Sequence, residues 1–359
     1  MGPRFWGLPR PAFGVNGLVE GSIKFDRRCT HVVRLSVTLL GKLKVTSTVR
    51  GMIADMNEQI IVNDTVDLPP PASSECGCYQ TEQLYSFSLP FPTLVKGSAS
   101  PLPPSFSAWS PGVSTEITYV VKIDVYRKGF RPHNGRTIPI TYLPKTWPSQ
   151  PPFRGDIMLY QGLRTARLQA RWPCGANVAS DSTAPTIEIA LPPDPSFASG
   201  TRLPFKLTIA CTGAPAHAKL LAGRAEVHLM RRTQVLLGGM RVLGSRDSDV
   251  ARATLLETTQ REGSSVELYE LMLGELGKEQ SWMMKDAVAV TYFLTVRVCP
   301  PAGASKFLPE YADQVPVRIA SEPWGTRERE LLQFGGHPAP ALGLSMARGE
   351  LRPSQTVGW

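Results

Sequence analysis

The 359-residue sequence predicts an all-β protein built of sandwiches or barrels, and two observations predict it. Apolar residues alternate with polar ones along many short runs, which is the pattern of strands that bury one face. The 33 prolines and 31 glycines exceed average usage and interrupt these runs, so long helices are disfavoured. Many short strands separated by Pro/Gly turns are typical of sandwiches and barrels.

The clearest strand lies at residues 33–39, where Val and Leu alternate with Arg, Ser and Thr. The pattern resumes at residues 43–46, so we expect a bulge or bend at Leu40-Gly41 to join the two runs. Similar runs predict the other strands, in chain order, at residues 23–25, 59–62, 85–89, 117–125, 138–142, 187–191, 203–210, 225–229, 234–237, 240–243, 288–298 and 315–319.

Proline-bearing segments divide the chain. Residues 143–152 must form an extended connector, because proline lacks the N–H that a strand ladder needs. Residues 172–185 predict a second linker, and residues 155–170 fit either a bridging strand or a short helix. The expected organisation is a domain at residues 15–145, a connector at 146–182, a domain at 183–320, and a mobile, mostly disordered tail at 321–359 with one helical turn at 327–332.

Residues 266–276 are the other helical candidate, with an apolar stripe beside three glutamates. Gly274 and Gly277 disfavour a helix here. A surface insertion between two strands is the preferred interpretation.

The net charge of +9 is concentrated in one half of the chain. The first 180 residues hold 20 lysines and arginines against 11 aspartates and glutamates, whereas the remainder is balanced. Such an excess suggests contact with phosphates or acidic chains, although a solvated surface explains it equally well.

Nothing in the sequence predicts export, membrane spanning or a metal site. No apolar run approaches the ~20 residues of a spanning helix, and the N-terminus lacks the apolar core of a signal peptide. The six cysteines are too sparse for a disulfide framework, and the pair in Cys76-Gly77-Cys78 has no second Cys or His pair at zinc-site spacing. We therefore expect a cytoplasmic protein without cofactors.

Catalytic signatures are also missing from the sequence. It contains no nucleophile elbow, phosphate-binding loop, dinucleotide fingerprint or His-Glu-x-x-His pair. The five histidines are scattered, at His31, His133, His217, His228 and His337. We expect a protein that is not an enzyme, with an enzyme of dispersed catalytic residues as an alternative.

Several segments resemble the arrestin family, and specifically the α-arrestins. In the first half they are residues 17–23 (Gly-Leu-Val-Glu-Gly-Ser-Ile), 37–41 (Val-Thr-Leu-Leu-Gly), 85–90 (Tyr-Ser-Phe-Ser-Leu-Pro), 102–106 (Leu-Pro-Pro-Ser-Phe) and 117–127, which begins Ile-Thr-Tyr-Val. Weaker matches follow at residues 187–192, 200–205 and 290–296. The resemblance covers about residues 15–320 and implies two consecutive immunoglobulin-like β-sandwich domains.

The resemblance implies a cytosolic adaptor that binds cytoplasmic tails of membrane proteins, including phosphorylated tails, in sorting or endocytosis. It also implies peripheral recruitment to the plasma membrane or endosomes and contact with anionic lipid. The sequence departs from the family in two ways: no Pro-Pro-x-Tyr motif for ubiquitin-ligase recruitment is present, and residues 1–15 match the first edge strand poorly. A degenerate interaction module without ligase recruitment is therefore an alternative.

Two groups of basic residues are the candidate binding sites. Lys42, Lys44 and Arg50 fall on even-numbered positions along one strand pattern, and Lys122 alternates in the same way on another, so we expect them on a polar sheet face that clamps a phosphorylated or acidic peptide. A solvated outer face is the simpler alternative. The second group, on a loop that could reach lipid head groups or a receptor tail, comprises Arg127, Lys128, Arg131 and Arg136.

A basic nucleic-acid-binding β protein is the rival hypothesis from another class. It is favoured only by the charge and the pI of 9.3. Binding of single strands would call for aromatic residues interleaved with the lysines, and none lie at residues 42–50. Nucleic acid is therefore not the expected partner.

Overall fold

The computed structural model describes residues 7–25, 32–50, 52–70, 79, 83–128, 134–172, 184–193, 196–237 and 241–346. It confirms a mostly-β protein, with 58% strand and 6% helix, whose antiparallel sheets form two strand-rich halves. Cys29, Cys76, Cys78, Cys174, His31, His133, most of the predicted linker at 172–185 and residues 347–359 lie outside the described part.

The strands and helices follow one another with short connections. The first half contains β1 (Ala12–Phe13), β2 (Leu18–Lys24), β3 (Val32–Val49), β4 (Met52–Leu68), β5 (Leu84–Pro90), β6 (Phe106–Ser110), β7 (Val113–Arg127) and β8 (Asn134–Tyr142). The second contains β9 (Arg164–Arg167), β10 (Gln169–Arg171), β11 (Thr186–Leu191), β12 (Ser196–Ala198), β13 (Arg202–Ala210), α1 (Pro215–Leu221), β14 (Ala225–Leu237), β15 (Arg241–Arg252), β16 (Thr254–Arg261), β17 (Ser264–Met272), β18 (Trp282–Met284), β19 (Val288–Val298), β20 (Glu310–Ala320), α2 (Arg327–Gln333) and α3 (Gly343–Met346).

The first half is built around one large sheet with the strand order β1-β8-β7-β3-β4, to which β6 is added by pairing with β7. Strands β2 and β5 form a separate antiparallel pair. The core of the first half buries alternate side chains of β3 and β7, including Leu35, Val37, Leu39, Ile117 and Tyr119. The period-two pattern of the sequence therefore marks the buried faces correctly.

The second half contains two sheets. One has the order β10-β20-β19-β14-β15, with β12 and β18 added, and the other has the order β16-β17-β13-β11-β9. Their core includes Leu203, Phe205 and Leu207 from β13 and Leu294 and Val296 from β19. We expected residues 155–170 to form either a bridging strand or a short helix. They contain β9 and part of β10, and each of these strands joins a different sheet of the second half.

The interpretation of residues 266–276 as a surface insertion is wrong, and so is the helical alternative. Residues up to Met272 belong to β17, which pairs with β13 and β16. Its inward positions are Ser265, Glu267, Tyr269 and Leu271, all buried. A polar residue and a carboxylate on the core face hide the alternation that would have identified the strand.

The expectation of a mobile tail does not hold for residues 321–346, although the helical turn at 327–332 is confirmed as α2. Two main-chain bonds tie this segment to the connector: Glu322 N donates to Thr146 O at 3.0 Å, and Ala341 N donates to Leu143 O at 2.9 Å. Side chains also join them, since Trp147 Nε1 donates to Thr326 Oγ1 at 3.0 Å. The segment therefore crosses from the second half back to the first.

The segment before residue 17, which resembles the family's first strand poorly, contains the short strand β1. Its two residues pair in parallel with Thr141 and Tyr142 of β8. Phe13 packs in the core, with its ring centroid 5.6 Å from that of Phe91.

Alkaline titration is expected to report the burial of six tyrosines. Burial raises the pKa of Tyr311 to about 12. It also raises the pKa of Tyr79, Tyr119, Tyr142, Tyr269 and Tyr292. Because the folded-state pKa lies above the unfolded one, the contribution to stability is complete below about pH 10 and is lost as the pH rises further. We expect the phenolate absorbance of these six side chains to rise only above their ordinary pKa, together with loss of circular dichroism. A single step near the ordinary pKa would contradict the burial of these side chains.

Candidate functional site

The register places three of the predicted lysines on one face of the large first-half sheet. Lys42 and Lys44 on β3 lie opposite Thr118 and Glu116 of β7, and Lys122 of β7 lies opposite Thr38. In β3 and β7 these positions point away from the buried face that carries Leu43 and Val121. The strand pattern thus brings these lysines to one surface.

Carboxylates from neighbouring positions accompany two of these lysines. Lys42 Nζ lies 2.6 Å from Glu58 Oε1 on β4, and Lys122 Nζ lies 3.0 Å from Asp124 Oδ1. Lys44 forms no ion pair with the described residues and is exposed. The face is therefore largely charge-compensated, and Lys44 itself lies opposite Glu58 of β4 and Glu116 of β7.

Arg50 lies apart from the lysines, in the turn that joins β3 to β4. It is exposed and has a positive φ of 53°. The tip of this hairpin also exposes four apolar side chains, Val49, Met52, Ile53 and Met56. A cation beside a projecting apolar tip is suited to contact with a partner surface.

The second basic group is spread along β7, its end and β8. Arg127 ends β7, Lys128 follows it and is exposed, and Arg136 is exposed on β8 opposite Ile123. Arg131 lies outside the described residues. Of the described members, Arg127 ends β7, Arg136 lies within the adjacent strand β8, and Lys128 alone lies outside the strands.

A cavity of about 480 Å³ lies between the two halves. The first half supplies residues of β3, β6 and β7, and the second supplies residues of β14, β15 and β19. Four cations line it, against the single carboxylate of Glu116; they are Lys44, Arg231, Arg246 and Lys278. Its walls also carry rings, those of Phe106, Trp109, Trp282 and Tyr292.

The two halves contact each other directly beside this cavity. The rings of Phe106 and Trp282 meet edge to face with centroids 5.0 Å apart. A Cβ on Gly244 of β15 would lie 2.8 Å from Ser110 Oγ, so the backbone of the second half approaches β6 closely. These contacts fix the spacing of the cavity walls.

A buried carboxylate organises the second-half wall. Tyr292 Oη donates to Glu279 Oε2 at 2.6 Å, and Arg231 Nη1 lies 3.7 Å from the same oxygen. Burial, and then the Glu279 carboxylate, raise the pKa of Tyr292 well above its ordinary value. Tyr292 is therefore protonated at physiological pH and acts as a hydrogen-bond donor. The same Glu279 carboxylate lies next to the guanidinium of Arg231, which lines the cavity.

Among the described residues, no cluster of three or more His, Cys, Asp or Glu side chains could hold a metal ion. No helix in the described part of the chain is long and apolar enough to cross a membrane. Cys211 packs in the second-half core.

Sequence patterns did not identify the cavity. Its cations come from β3, from the hairpin of β14 and β15, and from the loop before β18, and only Lys44 was among the predicted residues. The only sequence signal for the cavity was that Arg231 and Thr233 occupy alternate positions of one strand. Any solvated strand face shows the same pattern.

No protein-family model matches the chain, and no curated protein matches it. The function is therefore inferred from the residues and their geometry.

Proposed function

We propose that the protein is a non-enzymatic, cytoplasmic adaptor of arrestin-like architecture, with two immunoglobulin-like β-sandwich domains. It binds cytoplasmic regions of membrane proteins, including phosphorylated tails, and acts in their sorting or endocytosis. Peripheral contact with anionic lipid at the plasma membrane or endosomes belongs to the same proposal. Without a Pro-Pro-x-Tyr motif, any ubiquitin ligase would be recruited by another surface.

The arrangement of the family-like segments carries this proposal. Residues 17–23 and 85–90 are distant in the chain, yet they cover β2 and β5, which pair with each other from Leu18 and Pro90 to Lys24 and Leu84. Residues 37–41 and 117–127 lie on β3 and β7, the adjacent central strands of the large sheet. The segments that resemble arrestins thus pair with one another.

The surface chemistry is compatible with a phosphorylated or acidic partner. Lys44 has no ion-pair partner among the described residues, and Arg50 is exposed at the apolar hairpin tip. Charge-assisted hydrogen bonds from such cations to phosphate are stronger than neutral ones. A tail that reaches from Arg50 to Lys44 would follow β3 along its exposed face.

Binding of labelled peptides tests the proposal. Fluorescence anisotropy would compare a multiply phosphorylated peptide, its unphosphorylated form and single-stranded DNA at low and high salt. We expect the phosphopeptide to bind best, and the combined substitution of Lys42, Lys44 and Arg50 by Gln to weaken it by about tenfold or more. Glutamine is used because a glutamate at position 42 would face Glu58.

A matched variant replaces three exposed cations of the second half, Lys219, Arg261 and Lys306, by Gln. It removes the same charge and should leave the phosphopeptide affinity unchanged. Equal losses in both variants would indicate non-specific electrostatics and contradict the site. Preference for DNA over both peptides would replace the adaptor by the nucleic-acid-binding alternative, and failure to bind any probe would reject the adaptor.

A further inference from the structure

The outer edge of β4 is open along much of its length. β4 ends the strand order of the large first-half sheet, and among the described strands only β3 pairs with it. Lys96 N donates to Ile61 O at 2.8 Å, so the edge is covered at that point. Residues 52–60 are all exposed. An open edge presents main-chain N–H and C=O groups that pair readily with another extended chain.

This edge lacks the residues that usually prevent a sheet edge from pairing with other chains. Lysine and proline have that role in natural edge strands. The 17 residues of β4 include no Lys, Arg or Pro. Four of them are apolar and between 47% and 72% exposed: Met52, Ile53, Met56 and Ile60. The edge strand β15 of the second half, by contrast, carries three arginines and two aspartates.

The open edge contains a regular stretch at residues 55–60. These residues pair one to one with residues 47–42 of β3, and the register shifts lie on either side of them. At a rise of about 3.4 Å per residue, the stretch offers roughly 20 Å of straight edge. When a peptide adds to such an edge as a further strand, main-chain hydrogen bonds supply affinity and alternate side chains supply specificity.

The two faces of this stretch differ in chemistry. The face shared with the lysines of β3 is apolar apart from one carboxylate; its residues are Met56, Glu58 and Ile60. That carboxylate is neutralised, since Glu58 Oε1 lies 2.6 Å from Lys42 Nζ. The opposite face is polar and acidic; its residues are Asp55, Asn57 and Gln59. Asp55 is exposed and forms no ion pair with the described residues. An added strand would therefore be stabilised by apolar side chains on the first face and cations on the second.

We propose that residues 55–60 of β4 bind, by strand addition, an extended peptide in which apolar residues alternate with lysines or arginines. A second copy of β4 is a poorer partner, because two acidic strands without cations would lie side by side. Lys/Arg-rich stretches flank membrane-spanning segments on the cytoplasmic side, so the juxtamembrane part of a membrane-protein tail has the required chemistry. This identification of the partner rests on the proposed adaptor function. The edge site itself does not, and it uses none of the cations assigned to phosphorylated tails.

Calorimetric titration of the full chain with the capped peptide (Val-Lys)4 tests the proposal. We expect it to bind, and (Val-Val-Lys-Lys)2 to bind about tenfold more weakly, because the second peptide has the same charge but cannot place all its valines on one face. Absence of binding at millimolar (Val-Lys)4 would overturn the proposal. Equal affinity for the two peptides would show charge attraction alone and would also overturn it.

N-methylated peptides test whether the main chain is paired. Successive N–H groups of a strand point to opposite edges, so methylation of all valine nitrogens blocks one edge of (Val-Lys)4 and methylation of all lysine nitrogens blocks the other. Only one edge pairs with β4. We therefore expect one methylated peptide to lose about tenfold or more in affinity and the other to bind nearly as well as the parent. Equal affinities of the two methylated peptides would contradict strand addition.

Exposed substitutions locate the site. Asp55→Asn combined with Ile60→Thr removes the unpaired carboxylate and one apolar contact, so the affinity for (Val-Lys)4 should fall about tenfold. The matched variant, Glu257→Gln with Leu256→Thr, makes the same kind of change at exposed positions of β16, the edge strand of another sheet. It should leave the affinity unchanged. Equal losses in the two variants would place the peptide elsewhere and overturn the proposal.

The combined substitution of Lys42, Lys44 and Arg50 by Gln separates this site from the phosphopeptide site. It frees Glu58 from its cation, so (Val-Lys)4 should bind at least as tightly as to the wild type. A loss of (Val-Lys)4 binding in this variant would overturn the proposal. Binding of (Val-Lys)4 by a protein that binds no phosphopeptide would support the edge site and count against the adaptor function alone.

Discussion

Lys145→Ala is expected to lower the free energy of unfolding by about 2 to 3 kcal/mol, because breaking a buried ion pair leaves a carboxylate without its counterion. Lys145 Nζ lies 2.8 Å from Glu330 Oε1 and 3.7 Å from Glu322 Oε2. The side chains of Lys145, Glu322 and Glu330 are only 14%, 19% and 11% exposed. Urea denaturation followed by circular dichroism measures the change.

The pH dependence of this loss distinguishes charge from packing. Burial raises the pKa of Glu322, and Lys145 counteracts part of that rise. Without Lys145 the folded-state pKa lies further above the unfolded one, so the variant regains stability as the pH falls through the carboxyl range and loses it as the pH rises. The difference in free energy of unfolding between the wild type and Lys145→Ala should therefore be largest at neutral pH.

Two further variants control for other causes. Lys145→Met keeps most of the aliphatic stem, so it should be nearly as damaging as alanine if the charge matters. Adding Glu330→Gln should restore part of the stability, since glutamine keeps an acceptor for Ala339 N, which donates to Glu330 Oε1 at 2.8 Å. If Lys145→Ala lowers the free energy of unfolding as expected but the loss does not vary with pH, the ion-pair explanation is contradicted.

Strand positions could be predicted wherever burial imposed alternation on the sequence. The runs at residues 33–39 and 117–125 were identified because one face of each strand lies in the core. The run at 59–62, by contrast, is only part of β4, which begins at Met52. Residues 52–60 are exposed on both faces, so no burial selected apolar residues at alternate positions and the strand left no pattern.

The candidate site could be predicted only in part, because its chemistry depends on strand pairing. Alternation was sufficient to place Lys42 and Lys44 on one face. That Glu58 would lie beside Lys42 depends on the register of β3 with β4, which contains an irregularity between Gly41 and Lys42. The cavity depends further on how the two halves pack, and no local pattern encodes that arrangement.

Glu267→Leu is the other substitution with a large expected effect. Glu267 is 0% exposed on the core face of β17, where a carboxylate is costly unless it is hydrogen-bonded. Gly223 N donates to its Oε1, and Tyr269 Oη donates to its Oε2 at 2.7 Å. Leucine would leave both donors buried without acceptors, so we expect a loss of about 3 kcal/mol in urea denaturation.

Glu267→Gln and Tyr269→Phe determine whether the loss arises from these hydrogen bonds. Glutamine keeps an acceptor for Gly223 N, and the Tyr269 hydroxyl can accept from its amide, so we expect a loss of only about 1 kcal/mol. Combining Tyr269→Phe with Glu267→Leu removes one of the orphaned donors, and the double variant should be less destabilised than the sum of the two single ones. If the losses of the two single variants simply add, the Glu267→Leu loss arises from the shape of the leucine side chain. The hydrogen bonds of the Glu267 carboxylate would then not explain how the turn after α1 is attached to β17.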